Sequence, residues 1–254
     1  MQAIQPEIQQ TPDSFLLEKR VADYWDERSA AFSRKRRREL DGPNGMAWRR
    51  LITAYLDQHF ATVDGLRVLD AGTGAGFFAI LLAEMGARVT GIDMSREMVH
   101  AAKANSLAYG VSGETHFTSM NAQELTFADH TFDLVISRNL TWTLPDVMQA
   151  YREWTRVLKP GGLLLNFDSD LRGVVWDEQN TGDHLGMEKL AECTALKDAM
   201  RINTHARPAW DQEFLEQLGM QVWTRDNISP LVQIDPTLPF DRAPLFALCA
   251  SKNA

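Results

Sequence analysis

Two acids stand 23 residues apart, Asp70 and Asp93, each closing a hydrophobic run, and the stretch after the first opens with Gly72, Gly74 and Gly76 at alternate positions. Without a Cβ, glycines so spaced let a nucleotide lie close against the backbone. Which nucleotide follows from the acid and the spacing. A dinucleotide fold wants G-x-G-x-x-G, with pyrophosphate facing a helix N-terminus. Here the pattern is G-x-G-x-G, the next residue is the bulky Phe77, and Asp70 precedes the loop, where it repels a pyrophosphate but can hold a cationic amine. A ligand with an ammonium group and no phosphate fits better, which disfavours a nicotinamide-dependent oxidoreductase. Asp93, in TGIDMS, is placed to accept from both hydroxyls of a ribose as well as to cap the helix that follows. Met94 beside it offers a soft apolar face for a purine.

These residues need a scaffold. From Leu66 onward RVLDAG, RVTGIDM, GETHFTSMNA, FDLVISRN and GGLLLNFDSD read as buried strands. FFAILLAEMG, SREMVHAAKANSLAYG and LPDVMQAYREWTRVLKPGG read as helices between them. That alternation predicts an α/β fold with a doubly wound parallel sheet, whose ligands bind beyond the carboxyl ends of the strands at the switch point. QVWTRDNISPLV and PLFALCASK read as two final strands joined without a helix, and Leu171 to Ala206 as a helix-prone insertion after the fifth strand. Before the core, residues up to about 13 lack periodicity. SFLLEKRVADYWDERSAAFSRKRRREL then reads as a helix capped by Ser14, with Val21, Tyr24, Trp25, Arg28 and Phe32 on one face. DGPNG breaks it, and MAWRRLITAYLDQHF forms a second helix. The expected organisation is an N-terminal helical lid over residues 1–64 and a Rossmann-like core over 65–254, with a cap insertion at about 171–206.

Composition narrows the function classes. A chain of 254 residues, 44% hydrophobic and 24% charged, suits one α/β domain with some decoration. Its longest apolar run, FFAILLA, is far short of a membrane span. The first residues, MQAIQPEIQQTPDSF, carry neither a basic nor an apolar signal region, and Cys193 and Cys249 suggest neither a disulfide framework nor a metal pair, so a cytoplasmic location is expected. Residues 1–64 hold ten basic and ten acidic side chains, so the net charge of -8 falls wholly on the remainder. An acidic body repels phosphate backbones, and neither nucleic acid nor membrane is an expected partner. RKRRRE, from Arg34 to Glu39, is the one counter-signal, read as a solvated helix end or, as a weaker alternative, an RNA contact.

With these motifs in view, the segment from Val68 to about Asp168 resembles the core of class I S-adenosylmethionine-dependent methyltransferases. DAGTGAG is similar to that family's first motif and GIDMS to its second. SMNAQELTFADHTFDLVISRNLTW resembles the third and fourth, and RVLKPGG with LLLNFD the helix end and strand that follow. The resemblance implies a seven-stranded Rossmann-like sheet with an antiparallel last strand, and transfer of a methyl group from S-adenosyl-L-methionine. Carried over by position, Asp70, Ala71 and the Gly72-Thr73-Gly74-Ala75-Gly76 backbone would hold the methionine part, Asp93 with Met94 the ribose and base, and Asn121 with Ala122 the adenine edge. Arg138, Asn139 and Leu140 would floor the site near the sulfur. The family often has Asp where this chain has Asn121, and Asn can still accept from the adenine amino group.

The acceptor is narrowed by exclusion. SRNLTW replaces the Asn/Asp-Pro-Pro-aromatic stretch of DNA amino-methyltransferases, and no cysteine stands at the fourth strand as pyrimidine C5 enzymes require. Of the seven tryptophans, Trp25, Trp142 and Trp176 fall in segments that should border the pocket, where they stack a flat ring or an amine or simply pack. Trp48, Trp154, Trp210 and Trp223 read as structural. Arg28 is a candidate for the cofactor's carboxylate, with Tyr24 adding a hydrogen bond. Asp168 and His184 are the candidate acid–base residues; Asp168 and Asp170 lack a complete metal ligand set at strand four. The reading is a small-molecule N- or O-methyltransferase acting on a planar heteroaromatic or amine metabolite of specialised metabolism, azapteridine-like rings included. A C- or O-methyltransferase of quinone biosynthesis and a non-catalytic S-adenosylmethionine-binding regulator are the alternatives. Oligomeric state is not legible.

Overall fold

Alternating buried strands and helices fold as their periodicity demands, in a computed structural model that describes residues 12–176, 187–238 and 243–253. In chain order the elements are α1 (Pro12–Asp41), α2 (Pro43–Leu56), β1 (Arg67–Ala71), α3 (Phe77–Ala83), β2 (Arg88–Asp93), α4 (Arg96–Ala108), β3 (Thr115–Ser119), β4 (Phe132–Arg138), α5 (Val147–Val157), β5 (Leu158–Ser169), α6 (Met187–Ala199), α7 (Ala209–Gln217), β6 (Met220–Arg225), α8 (Ser229–Val232) and β7 (Leu245–Lys252). The sheet has seven strands in the order β3-β2-β1-β4-β5-β7-β6. The first five pair in parallel, while β7 runs antiparallel to both β5 and β6. The chain's last strand therefore lies inside the sheet and leaves β6 at the edge.

Successive strand residues point to opposite faces, and the two faces bury separate cores. Val68, Leu134, Ile136, Leu165 and Phe167 pack with Trp48, Ile52 and Leu56 of α2 and the whole of α3. Leu69, Ala71, Val135, Leu164 and Leu248 pack with α5, α6 and α7. β1 and β4 are neighbours although β2 and β3 separate them in sequence, so the order reverses there and the loop after β1 sits at the switch point.

Several elements differ from the sequence expectation. α1 starts at Pro12, so Ser14 lies inside the helix instead of capping it. The break at DGPNG shrinks to Gly42, because Pro43 at the start of α2 has a φ already suited to a first helical turn. α2 is body more than lid, since Trp48, Ile52 and Leu56 are fully buried. α7 was not anticipated, and the single-turn α8 takes the end of the segment QVWTRDNISPLV that reads as a strand. Trp223 was expected to be structural but is 55% exposed, because β6 is an edge strand with one open face. Trp48 and Trp154 are wholly buried, and Trp210 stacks between His205 and Phe214. Among the described residues no helix is long and apolar enough to cross a membrane.

α1 is mostly polar and is held by directed contacts. Asp26 Oδ1 accepts from Ser95 Oγ at 2.5 Å and from the Glu97 amide at 3.2 Å at the start of α4. Arg20 forks onto Glu192 of α6, and Asn105 of α4 donates to Ser33 at 3.0 Å. Exposed pairs such as Arg20–Glu192 contribute only ~0–1 kcal/mol each, so the buried Val21 and Tyr24 supply most of the docking.

Candidate functional site

The loop after β1 is built by its own side chains. Asp70 Oδ2 accepts from Thr73 Oγ1 at 2.7 Å and from the Ala79 amide at 3.1 Å, tying strand, loop and helix together. Gly72 and Gly74 take φ of +69° and +52°. A Cβ on Gly72 would lie 2.8 Å from Leu140, and one on Gly74 would lie 3.1 Å from the Phe32 ring, so these positions require glycine. Gly76, at φ +88°, also packs closely on Ala102 of α4, and Ala71 gives its carbonyl to Ser137 Oγ at 3.0 Å. Burial lifts the Asp70 carboxyl to about 7. Asp93 Oδ2 accepts from the Gly74 amide and Oδ1 from the Ser95 amide, both at 2.9 Å, and burial lifts this carboxyl to about 6.

Two connected lobes open beyond the strand ends, sharing Gly72, Asp93, Leu140 and Thr143. The smaller, about 30 Å³, is apolar and lined by Met94, Met120, Ala122, Leu144 and Pro145, with one carboxylate besides Asp93. That carboxylate is Glu18 of α1, nearly buried, whose Oε1 accepts from Asn121 Nδ2 at 3.1 Å and Gln123 Nε2 at 2.8 Å. Burial raises its pKa. Asn121 Oδ1 is taken by the amide and side chain of Gln123, and the Ala122 carbonyl by Trp154 Nε1 at 3.0 Å. Sequence reading passed over Glu18, although it shares a helix face with Val21, Trp25 and Arg28.

The larger lobe, about 160 Å³, is walled by Trp25, Phe32, Trp142 and Trp176, with Asp70, Asp168 and Cys193. Trp142 and Trp176 meet edge to face at 5.5 Å, as do Trp25 and Phe32 at 5.4 Å. Arg28 is on this wall, its guanidinium 5.1 Å from the Tyr24 and Trp25 ring centres, and donates to the Tyr24 hydroxyl at 2.6 Å. Tyr24 is buried behind it. Asn139, also on the wall, has the left-handed φ of +53°, a conformation Asn tolerates and active sites often hold. Lys35, Arg36 and Arg138 contribute three further cations.

Asp168 reaches the same lobe but is fully engaged. Its Oδ2 accepts from Thr141 Oγ1 and from the Trp142 amide at 3.2 Å, and its Oδ1 from the Ser169 amide at 2.8 Å. Arg207 Nη1 lies 3.6 Å away, while its Nε and Nη2 fork onto Asp211 of α7. His184 lies outside the described residues. Among the described residues no group of three or more His, Cys, Asp or Glu side chains is arranged to hold a metal.

The paired lobes suit an adenosyl ligand: a small apolar lobe lined by Asp93 and Glu18, a glycine-rich loop beside it, then a larger chamber. A methyltransferase-domain family model matches residues 69–166, from β1 into β5. The ubiquinone biosynthesis O-methyltransferase of Rhizobium leguminosarum bv. trifolii is 36% identical over 102 residues, 40% of each chain. The enzyme of that name from Vibrio cholerae is 30% identical over 166 residues, 58% of this chain and 67% of that one. The chain spans about two-fifths of the length of the Rhizobium relatives it matches. The crystal structure of a SAM-dependent methyltransferase from Aquifex aeolicus shares the fold, with a TM-score of 0.56 at 19% identity over 84% of this chain and 95% of that one. A relative matched over two-thirds of its own length, on a sheet of this order, decides the kinship: the chain belongs to the class I S-adenosylmethionine-dependent methyltransferase family.

Proposed function

We propose that the protein transfers a methyl group from S-adenosylmethionine to a nitrogen or oxygen of a small planar metabolite. The observation that carries the acceptor class is the larger lobe, walled by Trp25, Trp142 and Trp176 and continuous with the smaller apolar lobe. Bound there, S-adenosylmethionine supplies an electrophilic methyl group on a cationic sulfur. The chain's own work is alignment and exclusion of water. In this reading Asp93 holds the ribose, the Gly72–Gly74 backbone and Asp70 hold the amino-acid end, Arg28 meets its carboxylate, and Asn139 and Leu140 floor the reacting centre. α1 acts as the lid. Asp168, hydrogen-bonded on both oxygens, positions the Thr141–Thr143 turn and is not asked to take a proton. An O-methyltransferase of quinone biosynthesis is the second reading, favoured by identity to the Vibrio cholerae enzyme. Incubation with S-adenosylmethionine and separate pools of heteroaromatic amines, phenols and quinols, followed by S-adenosylhomocysteine release, tests both. Tight adenosyl binding without turnover on any pool would sink the enzyme reading in favour of a regulator.

Glu18 is assigned the adenine amino group, in place of the acid the family often has at Asn121. A carboxylate that accepts from that amino group discriminates against an analogue carrying a carbonyl there. Wild type should prefer S-adenosylhomocysteine over S-inosylhomocysteine, and Glu18→Gln should shrink the preference by at least about tenfold. An unchanged ratio in the variant removes Glu18 from the base.

The raised carboxyl of Asp70 sets a pH dependence. In the unliganded protein the folded state keeps a proton that the unfolded chain releases above 3.8. That contribution to stability is complete below 3.8 and fades as pH rises through about 7. A ligand amine favours the ionised form, so binding has the opposite sign: affinity rises between about pH 5 and 7, then levels off. Calorimetry at about pH 6 in two buffers of different ionisation enthalpy should report a proton released on S-adenosylhomocysteine binding. No release there would separate Asp70 from the ligand amine.

A further inference from the structure

We propose that the methyl acceptor is an anion, and that Arg138, with Arg36 and Lys35 on the same wall, binds its carboxylate or phosphate group. This rests on the methyltransferase reading. Arg138 closes β4 and lines the larger lobe, with its side chain only 7% exposed. Nη2 donates to Glu39 Oε1 at 2.7 Å, but Nε and Nη1 are buried without a hydrogen-bond partner. The guanidinium lies 4.5 Å from the Trp48 ring centre and 5.0 Å from that of Phe77, a desolvated setting that strengthens its pull on an oxyanion. Buried donors normally have partners; here the residue lines the ligand chamber while these two donors lie closed off among aromatic rings, so a small side-chain shift would bring them to an oxyanion in the chamber.

Further cations gather on this wall. Arg36 and Arg138 both pair with one carboxylate, Glu39, which is completely buried and held at about 2 by the two guanidinium groups against the cost of burial. Lys35 adds a cation to the lining. The acids that reach the chamber have other roles: in the methyltransferase reading Asp70 and Asp93 face the cofactor, and Asp168 holds Thr141 and Trp142. This accounts for RKRRRE, in which Arg34, Arg37 and Arg38 face water while Lys35 and Arg36 turn inward. Phe32, whose ring rests on Gly74, stands one turn from Arg28 and one turn from Arg36. It divides a position for the cofactor's carboxylate from a second position for the acceptor's anion.

Inorganic phosphate and benzoate are the probes, titrated into the full chain alone, saturated with 5′-methylthioadenosine and saturated with S-adenosylhomocysteine. One oxyanion is expected to bind in all three states, with Kd raised at least about tenfold in Arg138→Met. That variant also half-unpairs Glu39, so Lys35→Met, which leaves both Glu39 pairs intact, accompanies it and should weaken the oxyanion about threefold. An oxyanion expelled by S-adenosylhomocysteine but not by methylthioadenosine would belong to the cofactor's carboxylate and overturn the assignment. So would no bound oxyanion in any state, or binding unchanged in both variants. Failure of S-adenosylhomocysteine itself to bind wild type would be the separate failure of the cofactor reading.

Discussion

Asp93→Ala is expected to raise the Kd for S-adenosylmethionine and S-adenosylhomocysteine at least about a hundredfold. A ribose diol gives the carboxylate two donors, and hydrogen bonds to a charged acceptor contribute ~1.5–3 kcal/mol each. The variant also releases the Gly74 and Ser95 amides, which loosens the glycine loop and adds to the loss. α4 should survive, because its cap is Ser95 Oγ, accepting from the Met98 amide at 3.0 Å. Near-wild-type circular dichroism therefore accompanies the lost binding. Asp93→Asn keeps one acceptor and should fall between, at about tenfold. Since burial holds the wild-type carboxyl at about 6, affinity should also weaken below that pH. Retained micromolar binding in Asp93→Ala would displace the ribose from this acid. NADH binding by wild type in place of adenosyl ligands would undo the cofactor reading.

Both acids and their loop were legible in sequence because the constraints on them are local. A strand must end, a turn with positive φ must follow, and the acid two residues before Gly72 hydrogen-bonds to residues three and nine positions on. Glu18, Asp26 and Glu39 were not legible, because each acts on a partner at least 69 residues away that only docking of α1 supplies. Periodicity marked the helix face but could not say that an acid on it would meet Asn121. Arg138 was placed near the reacting centre by its position after β4, yet its burial over Trp48 depends on α2 packing as core. The Arg207 network was lost with α7, whose short run AWDQEFLEQ lacks a side-chain cap and follows directly on the insertion.

That network carries the other large effect: Arg207→Met is expected to destabilise the fold by ~3–5 kcal/mol. The Arg207 side chain is fully buried and donates to Asp211 Oδ2 at 2.9 Å, to Asp211 Oδ1 at 2.6 Å and to Thr141 Oγ1 at 2.6 Å, beside Asp168. Tyr151 donates to the same Asp211 at 2.6 Å and accepts from Asn166 at 3.0 Å. One guanidinium thus stands against two buried carboxylates, and removing it leaves both without a counter-charge. At roughly 2–4 °C per kcal/mol for a chain of this size, Tm should fall by roughly 10 °C. The sign with pH follows from Asp168, which burial already raises and which Arg207 pulls down. Without Arg207 that carboxyl rises further, so its contribution is retained below the unfolded value of 3.8 and lost as pH climbs above it. The variant's deficit should therefore be smallest near pH 4 and largest at neutral pH. Asp211→Asn added to Arg207→Met, removing one orphaned charge, should recover part of the stability, which a thermal melt of the double variant reads directly. Additive losses would mean the pair is not coupled. Because Thr141 and the chamber-wall residue Trp142 both hang from Asp168, Arg207→Met should also weaken acceptor binding more than cofactor binding, linking a buried ion network to the shape of the methyl-transfer site.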